Sequence, residues 1–177
     1  MDVPIRKSYW VVDGQLLAGE YPAPGPDDER RSKLSVLLDA GIRSFVDLTE
    51  AHELRPYQEL LQQLASERGV DVRYRRMSIA NRGIPSVEHM EAILRHIREE
   101  IEAGRPVYVH CWGGIGRTGT LVGCWLIEAG TCAAADAIAR IADLRRLTPD
   151  PSIASPETPE QAEFVNGWIS SSVDRRP

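Results

Sequence analysis

The residues best equipped for chemistry stand together in one run, Val107-Tyr108-Val109-His110-Cys111-Trp112-Gly113-Gly114-Ile115-Gly116-Arg117-Thr118-Gly119. Val107 to Val109 read as a short buried strand, with Gly104 and Pro106 as breakers before it. From Arg117 onward the spacing turns helical, and Leu121, Val122, Cys124, Trp125 and Leu126 make that helix largely apolar. The intervening loop therefore sits at a helix N-terminus, where amide N–H groups lack intrahelical partners and the dipole favours an anion. Gly113, Gly114 and Gly116 let the backbone of Trp112, Ile115 and their neighbours turn those groups toward one small space. Arg117 adds a planar fork that grips two oxygens at once, which a lysine cannot do. Cys111 faces the same positive field, which favours the nucleophilic thiolate. The Thr118 hydroxyl can donate to that sulfur and help it leave later. Such a loop suits attack on a tetrahedral oxyanion, and a phosphate ester fits best.

Other loops with similar letters fail on context. Gly114-x-Gly116-x-x-Gly119 also matches a dinucleotide-binding fingerprint. That motif needs a second strand ending in an acid about 20 residues on, whereas Cys132 to Leu147 reads as a helix. A nucleotide-binding loop of the Gly-Lys-Ser/Thr kind is not supplied by Arg117-Thr118. Three cysteines make no paired framework, and Cys111 has no metal-ligand spacing to Cys124 or Cys132, so neither a metal nor another cofactor is expected.

His110-Cys111-x5-Arg117-Thr118-Gly119 resembles the signature loop of the protein tyrosine phosphatase superfamily. A cysteine late in a chain of modest size looks like the dual-specificity branch, not the low-molecular-weight branch, whose cysteine lies near the N-terminus. The resemblance implies hydrolysis of phosphotyrosine, and also of phosphoserine or phosphothreonine, in proteins or peptides. It implies two steps through a cysteinyl-phosphate, without metal, and phosphate, sulfate or vanadate as ligands of the site. By position Cys111 is the nucleophile, Arg117 the phosphate clamp, Thr118 the thiolate partner and His110 a brace behind the loop. Trp112, Gly113, Gly114, Ile115 and Gly116 complete the phosphate cradle. Trp112 either walls the pocket or packs on the scaffold.

One position departs from the pattern. In the family a strand leads to an aspartate shortly before a helix that follows a proline, and this aspartate protonates the leaving oxygen. In Met77-Ser78-Ile79-Ala80-Asn81-Arg82-Gly83-Ile84-Pro85-Ser86 the position holds Asn81, whose amide is not an acid. Three explanations compete. Asp47, Glu50 or another carboxylate serves instead; an Asp-to-Asn change was introduced to trap substrate; or the protein is a slow phosphatase or a phospho-ligand binder with little turnover. For Asp47 and Glu50 a strand-end turn and a helix cap are the plainer roles. Gln161 matches a family glutamine that orients the hydrolytic water, and it equally completes a capping box with Thr158.

The rest of the chain supplies the elements that must hold this loop. Asp13-Gly14 between Tyr9–Val12 and Gln15–Ala18 predicts an N-terminal hairpin. Helices are expected over Asp27 to Ala40, over Leu54 to Arg68 with Leu54, Tyr57, Leu60, Leu61 and Leu64 inward, and from Ser86 with Val87, Met90, Ile93, Leu94, Ile97 and Ile101 on one stripe. Arg43 to Leu48 and Val70 to Tyr74 are expected as strands, the second extending at most to Met77. Strands separated by helices predict an α/β fold, a mainly parallel sheet flanked by helices on both faces, with ligands beyond the carboxyl ends of its strands. The 177 residues are read as one domain, with 171–177 as a frayed tail. A net charge of −5 argues against nucleic acid as partner. No run is long and apolar enough to span a membrane, and Met1 to Trp10 lacks the apolar stretch of a secretory signal. A reducing cytoplasm is the expected compartment for a nucleophilic thiol.

Overall fold

The computed structural model describes residues 2–169; the predicted tail, 171–177, lies outside them. Five strands form one sheet: β1 (Ser8–Val12), β2 (Leu16–Gly19), β3 (Ser44–Asp47), β4 (Arg73–Arg76) and β5 (Val107–His110), in the order β1-β2-β5-β3-β4. β1 and β2 are the antiparallel hairpin, and β2, β5, β3 and β4 run parallel. The helices are α1 (Asp27–Asp39), α2 (Gln58–Glu67), α3 (Val87–Glu102), α4 (Gly116–Glu128), α5 (Ala137–Arg145) and α6 (Pro159–Asn166).

Strand alternation sorts the core into two layers. Leu16, Ala18, Val46, Val107 and Val109 pack with Met90, Ile93, Ile97, Leu121 and Trp125 from α3 and α4. Leu17, Phe45 and Tyr108 point the other way, onto Leu34, Leu37, Leu38, Leu61 and Leu64 from α1 and α2. The expected α/β architecture, with helices on both faces and an N-terminal hairpin, is the one found. β5 lies between β2 and β3, covered on both sides, which explains its unbroken apolar run.

The differences from expectation are local. The second helix begins at Gln58, because Pro56 lacks an N–H and biases Arg55 away from helical backbone. The strand expected from Val70 starts at Arg73, where pairing with Ser44 begins. Val87, read as part of the buried stripe of α3, is 51% exposed: it is the first residue after the Ser86 cap, before the helix is covered. Cys132 to Leu147 is a 3₁₀ turn at Ala134–Asp136 followed by α5.

Parallel pairing sets the ends of four strands in one row. Gly19 pairs with His110, His110 with Asp47, and Asp47 with Arg76. The loop carrying Cys111 leaves from the middle of that row.

Candidate active site

The loop from Cys111 to Gly116 is shaped by close backbone approach. Gly114 has φ +70, and a methyl group there would lie 2.4 Å from the carbonyl carbon of Gly19. The Trp112 carbonyl accepts from the Tyr21 N–H at 2.8 Å, and the Ile115 carbonyl accepts from Ser155 Oγ at 2.7 Å. Among the described residues, none of the main-chain N–H groups from Trp112 to Gly116 donates to a protein acceptor. This is the open ring of donors an anion needs. Gly114→Ala is expected to cost about 3 kcal/mol or more, since left-handed strain and overpacking add. Gly130, at φ +65 with nothing within 4 Å of a built Cβ, separates the two terms. Gly130→Ala should cost only about 1 kcal/mol. Thermal melts of the two variants check the difference, at roughly 2–4 °C per kcal/mol for a chain of this size.

Behind the loop lies a buried polar network. Tyr57 Oη and His110 Nε2 are 2.7 Å apart, and His110 Nδ1 lies 3.2 Å from the Cys111 carbonyl. The tautomer that satisfies both has Nδ1–H donating to Cys111 and Nε2 accepting from Tyr57. Burial pushes the His110 ring below its usual pKa and keeps it neutral, and burial raises the Tyr57 hydroxyl well above its own. His110 therefore braces the loop at the Cys111 carbonyl.

Asp47, one of the acids considered for proton delivery, belongs to this network. Its Oδ1 accepts from the Thr49 N–H at 2.8 Å and the Thr49 hydroxyl at 2.6 Å. Its Oδ2 accepts from Tyr74 Oη at 2.7 Å and Arg76 Nη2 at 3.0 Å. Burial alone would raise this carboxyl; the bonds from Thr49 and Tyr74 oppose it, and the net shift is downward. A fully buried, ionised carboxylate with both oxygens committed cannot act as the acid, so Asp47 is a structural residue. Arg76 is its ion-pair partner.

Arg117 is held almost wholly buried. Nη1 donates to Glu53 Oε1 at 2.5 Å, to the Ile79 carbonyl at 3.1 Å and to the Leu48 carbonyl at 3.3 Å. Nη2 donates to Glu53 Oε2 at 2.8 Å and reaches Asn81 Oδ1 at 3.4 Å. The end-on grip by Glu53 leaves Nε without a protein acceptor among the described residues and the outer Nη2 hydrogen on the long bond to Asn81. Burial would raise the Glu53 carboxyl, but hydrogen bonds from Arg117 and the Glu50 N–H bring it below its usual range. Sequence reasoning missed Glu53 and passed over the Tyr57 hydroxyl. The signal for Glu53 was Pro56, which delays the helix and leaves Glu53 in a turn beyond the end of β3.

A cavity of about 390 Å³ opens over the loop, lined by Cys111, Trp112, Arg117, Asn81, Ile153 and Glu157 among others. Cys111 is 3% exposed at its floor, and Trp112, 56% exposed, walls it instead of packing on the scaffold. Thr118 Oγ1 is buried with no hydrogen-bond partner among the described residues. Glu50 stands next to the Asn81 loop, its Oε2 accepting the Asn81 N–H at 3.3 Å, and is not among the cavity residues. Gln161 forms the full capping box with Thr158. Its side chain also donates to the Gly83 carbonyl at 3.0 Å and abuts Gly116. It therefore caps the helix and ties it to Gly83 and to Gly116 of the cysteine loop.

Comparison with known proteins agrees with this geometry. Residues 23–131 match the model of the Tc-R-P family, described as "Polymorphic toxin system, DSP-PTPase phosphatase". Phosphatidylglycerophosphatase and protein-tyrosine phosphatase 1 of Rattus norvegicus is 27% identical over 142 residues, 79% of this chain and 68% of that protein. An uncharacterized protein of Methanocaldococcus jannaschii is 47% identical over 47 residues, and the match spans only 27% of this chain and 32% of that one. The crystal structure of Tk-PTP in its active form superposes with a TM-score of 0.66 at 28% identity, covering 90% of this chain and 93% of that one.

Proposed function

The chain belongs to the Tc-R-P family of DSP-PTPase phosphatases, and on that premise we propose that it hydrolyses phosphate monoesters, phosphotyrosine in proteins or peptides first, through a cysteinyl-phosphate on Cys111. The observation that carries the reading is the run of N–H groups from Trp112 to Gly116 without protein acceptors among the described residues, in a loop that lines one cavity with Cys111 and Arg117. The ring and Arg117 hold three phosphoryl oxygens, which aims the phosphorus at Cys111 Sγ. The thiolate attacks, the bond from phosphorus to the leaving oxygen breaks, and Thr118 donates to the sulfur as it departs in the second step. The chain's own donors carry the charge, so no metal is required. Trp112 and Ile153 give the cavity an aromatic and an aliphatic wall, which suits an aryl phosphate. Residues 1–177 are taken as one catalytic domain, working in a reducing compartment such as the cytoplasm.

A phosphotyrosine peptide is expected to be turned over in the presence of a chelator and inhibited by vanadate, faster than a phosphoserine peptide. Rapid quenching should leave a phosphoryl group on the peptide containing Cys111. Turnover of phosphatidylglycerophosphate vesicles without turnover of the peptide would move the substrate to lipid, the other activity in the rat relative's name. The second reading, a phospho-ligand binder, draws on Asn81, which faces the cavity without an ionisable proton. Tight phosphopeptide binding with no single-turnover cleavage would favour it.

A further inference from the structure

With Asn81 at the cavity, the leaving oxygen lacks its proton donor there, and the nearby carboxylates can be sorted by what already holds them. Both oxygens of Asp47 are bonded within the sheet. Both oxygens of Glu53 hold Arg117. Glu50 holds the Asn81 N–H and does not line the cavity. Glu157 is the one carboxylate among the residues lining the cavity that opens over Cys111. We propose that Glu157, from the segment leading into α6, is the proton donor of this phosphatase and then the base that activates water. The proposal rests on the phosphatase reading above.

The local structure is built to bring this carboxylate onto the loop. The Glu157 N–H is fixed by Gln161 Oε1 at 3.1 Å. A methyl group on Gly116 would lie 3.0 Å from Glu157 Oε2 and 3.2 Å from its Cβ, so the glycine before Arg117 makes room for the side chain. Glu157 Oε1 accepts from Arg82 Nη1 at 2.8 Å. Arg82 is the one non-glycine residue with positive φ among the described residues, at 59°, a conformation that costs an arginine and turns it here toward the cavity. With side chains 64% and 41% exposed, the pair is of the kind that contributes little and opens readily. An entering phosphate gives Arg82 a second acceptor and releases the Glu157 carboxyl toward the leaving oxygen.

The proton and electron pairs then balance in both steps. Cys111 sulfur bonds to phosphorus, the ester P–O bond breaks, and the leaving oxygen takes the Glu157 proton. The Glu157 carboxylate next takes a proton from water, whose oxygen bonds to phosphorus while the S–P bond breaks. Thiolate, inorganic phosphate and protonated Glu157 are restored.

The test compares leaving groups, using a phosphotyrosine peptide and 2,4-dinitrophenyl phosphate. Glu157→Gln should lower kcat for the peptide by about 100-fold or more, and for the dinitrophenyl ester by far less, with KM for both little changed. Adding Asn81→Asp to Glu157→Gln should restore at least about tenfold on the peptide, because an acid again faces the cavity. Equal losses on both substrates, or no loss on the peptide, would overturn the proposal. So would a wild-type protein that cleaves only the dinitrophenyl ester. If Glu157→Gln does not fold, Glu157→Asp, which withdraws the carboxyl by one methylene, must still slow the peptide more than the dinitrophenyl ester. A wild-type protein inactive on both esters would sink the phosphatase reading itself. An active wild type with an unaffected Glu157→Gln would sink only the role of Glu157.

Discussion

Cys111→Ser is expected to abolish turnover of aryl phosphates while leaving phosphate recognition intact. The two side chains differ by one atom, and the cavity that holds them is unchanged, so the donors from Trp112 to Gly116 and the Arg117 edge remain to bind the ligand. What is lost is the nucleophile. A serine hydroxyl is a far weaker nucleophile than a cysteine sulfur unless a base bonded to it takes its proton. His110 cannot fill that role, since its Nε2 is engaged by Tyr57 and its Nδ1 by the Cys111 carbonyl. The fall in kcat should reach about 10⁴-fold or more, the scale on which loss of a nucleophile is measured elsewhere. A phosphotyrosine peptide at 100 times its Kd should still stabilise the variant by about 2.7 kcal/mol. Steady-state rates and thermal melts on one preparation check both halves. Turnover within tenfold of wild type would remove Cys111 from the reaction, and a lost thermal shift would remove the loop from phosphate binding.

The parts legible in the sequence are those written in contiguous residues. Strand, cysteine, glycine loop and apolar helix follow one another within 107–126, and their order fixes both the local fold and its chemistry. The inner strands are legible for the same reason, because short continuous apolar runs bounded by glycine and proline mark them. What stayed hidden depends on partners far apart in the chain. Glu53 meets Arg117 across 64 positions, and no spacing rule encodes that pairing. Tyr57 was legible as a buried ring, but periodicity says nothing of where a hydroxyl points. For Asp47 the sequence leaves a strand-end turn and proton delivery both open, because it does not give the register. Once β3 pairs with β4, Arg76 stands opposite Asp47, with Tyr74 two residues away on the same strand, and the carboxylate is consumed. Glu157 is hidden in another way: it sits in a short loop before a well-marked cap, where sequence gives the helix start and not the direction of the preceding side chain.

Arg117→Lys is the second variant with a large expected effect, and it separates charge from geometry. A lysine keeps one positive charge in the same cavity but offers a point donor in place of a planar edge. Wild-type Arg117 gives one end of its guanidinium to Glu53, and on the proposed reading its Nε–Nη2 edge exchanges the long Asn81 bond for the phosphoryl group. An ammonium that satisfies Glu53 cannot also reach two phosphoryl oxygens. The bonds it loses are those that tighten as charge shifts on the phosphoryl oxygens, so kcat should fall by about 10²–10³-fold, the usual loss for one oriented donor in a dry site. KM should change much less. Stability should change little, because Glu53 keeps a cation. Arg117→Ala supplies the contrast: it strands the nearly buried Glu53 carboxylate, 6% exposed, and should cost about 3–5 kcal/mol of folding stability besides the lost rate. Denaturant melts and kinetics on both variants give the comparison. If Arg117→Lys turns over within tenfold of wild type, charge alone suffices and the guanidinium edge is not the clamp.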